Sequence, residues 1–214
     1  MSMAPLLRVT ARDVAVEVAG RHLTVTVLPF VTAAALLAGL GFGPDPEVLR
    51  AVAPGLLWLL VLFAAVPLAR GVAAADREDG CWDLLRALVT PTTLLAGKVI
   101  ALWSWLLAVW VLGGLLFGAL FGAGQPVAAL VGGPLATFGV AIVTTLYGAL
   151  LGARPDGGDG LLPVLVLPAA VPLLLAGTQL GSGGAAAPWL GLLLAYDAVL
   201  WTATWAVFPI VLEE

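Results

Sequence analysis

Asp76-Arg77-Glu78-Asp79-Gly80-Cys81-Trp82-Asp83-Leu84-Leu85 is a short charged island in an otherwise oily sequence. Long apolar runs lie on both sides of it. Ionised side chains cost several kcal/mol at the middle of a bilayer. A charged, Trp-bearing segment between two membrane-length runs must therefore surface at one face of the membrane.

The flanking composition makes the same point. Hydrophobic residues are 62% of the chain and charged residues 10%, with a mean hydropathy of +1.11, where a soluble domain carries about 25% charged residues. So few charges cannot cover a soluble surface, so the chain reads as an all-α integral membrane protein, a single transmembrane domain over residues 1–214. No Arg-rich n-region with a short apolar core and a small-residue cleavage site opens it, so the N-terminus is expected to stay on the mature protein. A single cysteine, Cys81, excludes an internal disulfide, and a single histidine, His22, excludes a multi-His metal site. No metal site is expected. The net charge of −4 and the lack of a basic patch give no nucleic-acid signature.

A spanning helix needs roughly 20 apolar residues. On that rule six transmembrane helices are predicted, near Leu23–Phe42, Val52–Ala75, Val99–Phe121, Val127–Leu151, Leu161–Leu180 and Trp189–Leu212. Gly43-Pro44-Asp45-Pro46, Gly122-Ala123-Gly124-Gln125-Pro126, Arg154-Pro155-Asp156-Gly157-Gly158-Asp159-Gly160 and Gly181-Ser182-Gly183-Gly184 punctuate them. Arg8, Arg12 and Arg21 precede the first span; Arg70, Arg77, Arg86 and Lys98 lie between the second and third; Arg154 follows the fourth. With an even span count these all fall on one side and only Arg50 on the other. The positive-inside rule then puts both termini in the cytoplasm. The N-terminal segment 1–21 is expected to be cytoplasmic or interfacial. Over Leu6–Gly20 the spacing of Arg8 with Arg12 and of Asp13 with Glu17 suits an interfacial helix. Val14, Val16 and Val18 alternate like a strand, but a lone strand has no edge to pair with.

Three features carry chemistry. The loop 76–98 reads as a surface helix-turn-helix, with Thr90-Pro91 ending its first helix and Trp82, Leu85 and Val89 on one side. A docking element for a cytoplasmic partner and an ordinary solvated loop both fit it. Asp197, beside Tyr196, sits inside the last span, where a carboxylate points to function by default. It fits a cation partner, a substrate or a proton relay, and equally a core hydrogen bond to Tyr147, Thr144 or Thr202. Pro163, Pro168 and Pro172 puncture the fifth span, each removing a backbone donor. A hinge or path-lining element and a kinked packing helix fit them alike. The tryptophans near span ends suit interfacial belts, and Gly113-Gly114, Gly118 and Gly122 suit close helix packing. No Walker A motif, G-x-S-x-G or H-E-x-x-H occurs, so no hydrolytic machinery is evident.

These residues resemble the haem exporter protein B family, CcmB. Phe42-Gly43-Pro44-Asp45-Pro46 followed by Ala53-Pro54-Gly55-Leu56-Leu57-Trp58 is similar to its first external loop and second span. Asp76-Arg77-Glu78-Asp79-Gly80, Asp83-Leu84-Leu85, Thr90-Pro91 and Ala96-Gly97-Lys98 resemble its cytoplasmic loop, Leu165-Val166-Leu167-Pro168 with Val171-Pro172 its fifth span, and Tyr196-Asp197 with Phe208 and Leu212-Glu213-Glu214 its ending. The likeness runs from about residue 42 to the C-terminus. Cys81 and Trp82 depart from it, and Arg154-Pro155-Asp156-Gly157-Gly158 keeps one of a pair of basic residues.

The resemblance implies a type-2 ABC exporter permease in the bacterial inner membrane, working in cytochrome c biogenesis. It implies a homodimer on a CcmA-like ATPase that binds the ATP and Mg, beside a haem-handling CcmC-like subunit and a small CcmD-like one. ATP hydrolysis on the partner would serve haem delivery, through release of the haem-loaded chaperone CcmE. The permease itself would be no enzyme and hold no cofactor, haem being a possible cargo. Glu78, Asp79, Gly80, Trp82, Asp83, Leu84 and Leu85 then become the cytoplasmic coupling helix that fills a groove on the ATPase. An export permease for a lipid or drug and a non-transporting scaffold are the competing readings.

Overall fold

The computed structural model describes residues 7, 9–15, 28–78, 90–152 and 161–213. Among these every regular element is a helix. A short helix α1 covers residues 9–15. It is followed by α2 (Leu28–Phe42), α3 (Pro46–Glu78), α4 (Pro91–Phe121), α5 (Val127–Gly152), α6 (Leu161–Gly181) and α7 (Ala186–Glu213). The chain is an all-α, multi-pass membrane protein. Five helices, α3 to α7, are long and apolar enough to cross a bilayer. The segment expected as a first span is described only as α2, 15 residues long, about 22 Å at 1.5 Å per residue. Residues 23–27 of that expected span lie outside the described residues.

Local chemistry sets the helix ends. The Glu47 amide donates to Asp45 Oδ1 at 2.9 Å and the Leu49 amide to the Asp45 carbonyl at 3.1 Å, so Asp45 caps α3 with Pro46 in the first turn. At the far end of α4, Gly122 takes φ 62° and its amide donates to the Gly118 carbonyl, a left-handed cap that suits glycine. Arg50 Nε reaches the Gly122 carbonyl at 3.3 Å, so both turns lie at one end of the bundle. Between α6 and α7 the chain makes a short turn with Gly183 at φ 77° and no intervening helix.

Packing centres on α5, which touches α3, α4, α6 and α7. Small residues let large ones in. A Cβ on Gly177 of α6 would overlap the indole of Trp58 on α3, and one on Gly133 would overlap Trp110 of α4. Of the glycines expected to pack closely, Gly113 meets α3 through Leu57 Cδ1, 2.7 Å from where a Cβ would lie, and Gly122 meets Arg50 of the same helix, while Gly114 and Gly118 face the turn at Gln125 and Ala123. Hydroxyls inside the bundle mostly bond to their own helix: Thr137 Oγ1 donates to the Gly133 carbonyl at 2.8 Å and Thr144 Oγ1 to the Val140 carbonyl at 2.6 Å. That is how polar groups survive without water. Large apolar side chains face outward, among them Leu37, Leu40, Leu115, Val199 and Ile210. A soluble monomer rarely exposes so many together, and hydrocarbon is their natural solvent.

Candidate functional site

The first site is the end of the bundle where α3 stops and α4 starts. At 33 and 31 residues, these helices run about 50 and 46 Å against a hydrocarbon core of about 30 Å. Helix α3 runs on past Arg70 to Asp76, Arg77 and Glu78. The charged island thus begins on the helix itself, with Asp76, Arg77 and Glu78. Glu78 is the last described residue of α3; Asp79, Gly80, Trp82, Asp83, Leu84 and Leu85 lie outside the described residues. Thr90 is extended (φ −65°, ψ 145°) and Pro91 opens α4 eight residues before the expected Val99, while the end of the helix that Thr90-Pro91 was expected to stop lies outside the described residues. Proline's fixed φ and missing donor suit a first turn as well as a stop. The Thr90 hydroxyl bonds the Thr92 and Thr93 hydroxyls at 3.3 and 2.9 Å and makes no side-chain cap to a backbone amide.

Helix α1 is clamped to this start of α4. Val9 packs on Gly97, where a Cβ would lie 2.5 Å from Val9 Cγ1, and Thr10 Oγ1 donates to the Gly97 carbonyl at 3.4 Å. Asp13 points the same way and is 2% exposed. Its Oδ2 lies 3.7 Å from Lys98 Nζ and its Oδ1 3.5 Å from Arg12 Nη1. The sequence alone places Lys98 near the interface and Asp13 on a helix, and does not join them. A signal exists in Gly97-Lys98, a gap and a cation in adjacent positions, but 84 residues separate Lys98 from Asp13.

The second site is inside the bundle. Asp197 is the twelfth residue of the 25-residue apolar stretch Ala186–Ile210, close to its middle. It is 6% exposed and neither carboxylate oxygen has a hydrogen-bond partner among the described residues. Two of its expected partners are engaged elsewhere, Thr144 with the Val140 carbonyl and Thr202 with the carbonyls of Ala198 and Val199. Tyr147 makes no bond to it. What makes room for the carboxylate is Gly139 of α5: a Cβ there would overlap Asp197 Oδ1 and the Leu173 methyls of α6. Neighbouring Tyr196 donates its hydroxyl to the Ala169 carbonyl at 2.9 Å, joining α7 to α6 between Pro168 and Pro172. An aromatic run adjoins the carboxylate. Trp103 meets Phe138 edge-on at 5.7 Å, Phe138 stacks on Trp201 at 5.9 Å, and the Trp103 indole donates to the Pro134 carbonyl at 3.0 Å.

The three expected breaks in α6 do not interrupt it. The helix is continuous from Leu161 to Gly181, with Pro168 and Pro172 inside it. Pro163 lies in the first turn, where the missing donor costs nothing. No group of three or more His, Cys, Asp or Glu side chains suited to a metal occurs among the described residues.

Residues 4–211 match the family model described as "CcmB protein". The chain is 33% identical over 198 residues to "Heme exporter protein B" of Rhodobacter capsulatus, covering 87% of this chain and 82% of that protein. It is 34% identical over 184 residues to the protein of the same name from Bradyrhizobium diazoefficiens, covering 82% and 80%. The corresponding protein of Paracoccus denitrificans is 31% identical over 193 residues, covering 85% and 84%.

Proposed function

From a chain that belongs to the CcmB family, we infer a membrane subunit of the haem exporter ABC complex of cytochrome c maturation. The match over residues 4–211, nearly the whole chain, carries this reading. The chain is a transporter subunit rather than an enzyme. Its relatives bear the name "Heme exporter protein B", and haem enters here as the cargo the complex handles.

The sequence lacks a Walker A motif, so the energy comes from a CcmA-like ATPase in the cytoplasm. The coupling element is the island from Glu78 to Leu85. Its acidic side chains suit Arg or Lys of the partner, and Trp82 offers a large anchor of the type that dominates interfaces. Two observations support this: α3 and α4 outrun the membrane core on either side of the island, and α1 braces the first turns of α4. Motion of the ATPase then enters two long rigid helices rather than a slack loop. Pro168 and Pro172 give α6 two points at which it can bend in response. The inner membrane, six spans counting α2, cytoplasmic termini, a homodimer and CcmC-like and CcmD-like companions complete the assembly. In it ATP use drives release of the haem-loaded chaperone.

The test is a pull-down of the tagged full-length chain from detergent-solubilised native membranes, with mass spectrometry of the companions. An ABC ATPase together with a haem-handling membrane protein is expected. Trp82→Ala combined with Glu78→Lys is expected to lose the ATPase while inserting normally in the membrane. An ATPase retained by that variant removes the docking role of the island.

A further inference from the structure

Helix α7 turns a stripe toward the core: Leu193, Asp197, Thr204 and Phe208, spaced at four, seven and four residues, are all buried. Leu193 and Phe208 are what such a stripe calls for, and Thr204 adds a neutral hydroxyl without a hydrogen-bond partner among the described residues. Asp197 fits neither description. A carboxylate there must be neutralised by a counter-cation, by a bound metal ion or by a proton, because an isolated buried charge is too costly to keep.

The surroundings decide among these. Of the elements packed against α7, α6 contains no titratable residue, and α5 contains only Tyr147. Helix α4 contains only Lys98, which is engaged with Asp13 at 3.7 Å. On α7 itself stand Tyr196, whose hydroxyl is committed to the Ala169 carbonyl, and Glu213 at the far end. Arg50, the cation described at the other end of the bundle, is bonded to the Gly122 carbonyl. No cation within these packed helices faces Asp197. A metal ion gathers several oxygen ligands, whereas Oδ1 sits over the bare Gly139 and beside the Leu173 methyls. A proton needs no further ligand and no extra volume.

We propose that Asp197 is a proton-binding site at the middle of the membrane, its carboxyl group carried neutral in the packed bundle and sealed from water by α5 and α6. The chemistry is one proton taken from water by the carboxylate and returned to water on release, with no other bond changed. The seal is the segment of α6 around Leu173. It follows two prolines, Pro168 and Pro172, that remove helical donors in adjacent turns. If that segment moves off α7, water reaches the carboxyl group, and the proton can leave.

Infrared spectroscopy of the full-length chain in an alkyl maltoside detergent, which contains no carbonyl group, tests this at neutral pH. Water-facing Asp and Glu are then ionised, so a protonated carboxylic C=O band stands alone. The expected result is such a band in the wild type, absent from Asp197→Asn, that shifts only slowly when light water is replaced by heavy water. A difference spectrum that instead loses carboxylate bands overturns the proposal, since Asp197 would then be ionised beside a counter-cation. A carboxylic band that shifts at once in heavy water overturns the seal. Should Asp197→Asn fail to insert, carboxyl-labelled aspartate in the wild type separates the same two outcomes: an isotope-shifted carboxylic band at neutral pH supports the proposal, and its absence overturns it.

Discussion

Asp13 and Asp197 are buried alike, 2% and 6% exposed, and solve the problem in opposite ways. Asp13 is on α1 at the island end of the bundle, with Lys98 and Arg12 within 4 Å. Asp197 is mid-helix in α7, with a glycine and a leucine for neighbours and no hydrogen-bond partner among the described residues. Where an interface is near, a long cation can bring its charge in along an apolar stem, and the ion pair joins two elements distant in sequence. In the middle of the membrane no such supply exists, and the carboxyl group is accommodated by space and by losing its charge.

The largest expected effect comes from reversing the charge at the paired site. Asp13→Lys puts three cations where Arg12 and Lys98 now share one anion. Breaking a buried pair by removing one partner costs roughly 3–5 kcal/mol, more than the few contacts of Val9 and Thr10 return. Helix α1 should leave α4, which trypsin would report as rapid cleavage after Arg12 in vesicles. Lys98→Asp in the same chain should restore protection. Cleavage that stays slow in Asp13→Lys means that α1 is held by Val9 on Gly97 and the ion pair is incidental.

A smaller loss is expected at the unpaired site, where space rather than charge is critical. Gly139→Leu drives a side chain into Asp197 Oδ1 and the Leu173 methyls. Overpacking of this type costs about 1–3 kcal/mol and should lower the melting temperature in detergent. Adding Asp197→Ala should return part of the loss, because contacting residues are not additive. Full additivity of the two changes means that Leu173 alone resists the larger side chain.

Much of the fold was legible because membrane spans are written in composition. The turns at Gly43-Pro44, Gly122 and Gly183 and the last four spans follow from apolar length and glycine or proline punctuation. Helix ends were less legible. Pro91 is equally at home after a helix and at the start of one, so α4 begins eight residues earlier than hydropathy alone indicates. The prolines of α6 read as breaks, yet the helix continues through them, since neighbouring helices support it and Pro163 needs no donor in a first turn. Asp197 stands out as a carboxylate in an apolar run, but its neighbours could not be read. Thr144 and Thr202 are reasonable partners by type, and each turns to its own helix. Gly139, the residue that admits the carboxylate, is one of 26 glycines and carries no local mark. The pairing of Asp13 with Lys98 was invisible for a related reason: each sits in a plausible surface context, and only the docking of α1 on Gly97 brings them together.

The most discriminating change is also the gentlest, one substitution made at both sites. Asparagine has the shape of a neutral aspartic acid and cannot be ionised. At residue 13 it removes the anion that Lys98 and Arg12 face, so Asp13→Asn should loosen α1 measurably and raise tryptic cleavage after Arg12. At residue 197 it replaces a group that is already neutral. Asp197→Asn should then change the stability read from thermal melting by no more than the net worth of one hydrogen bond, about 1 kcal/mol, and leave the N-terminal cleavage unchanged. Equal losses at the two sites would mean that Asp197 is charged and paired like Asp13. Its partner would then have to come from a side chain beyond those that α4, α5 and α6 turn toward it, and the distinction between the two burials would disappear.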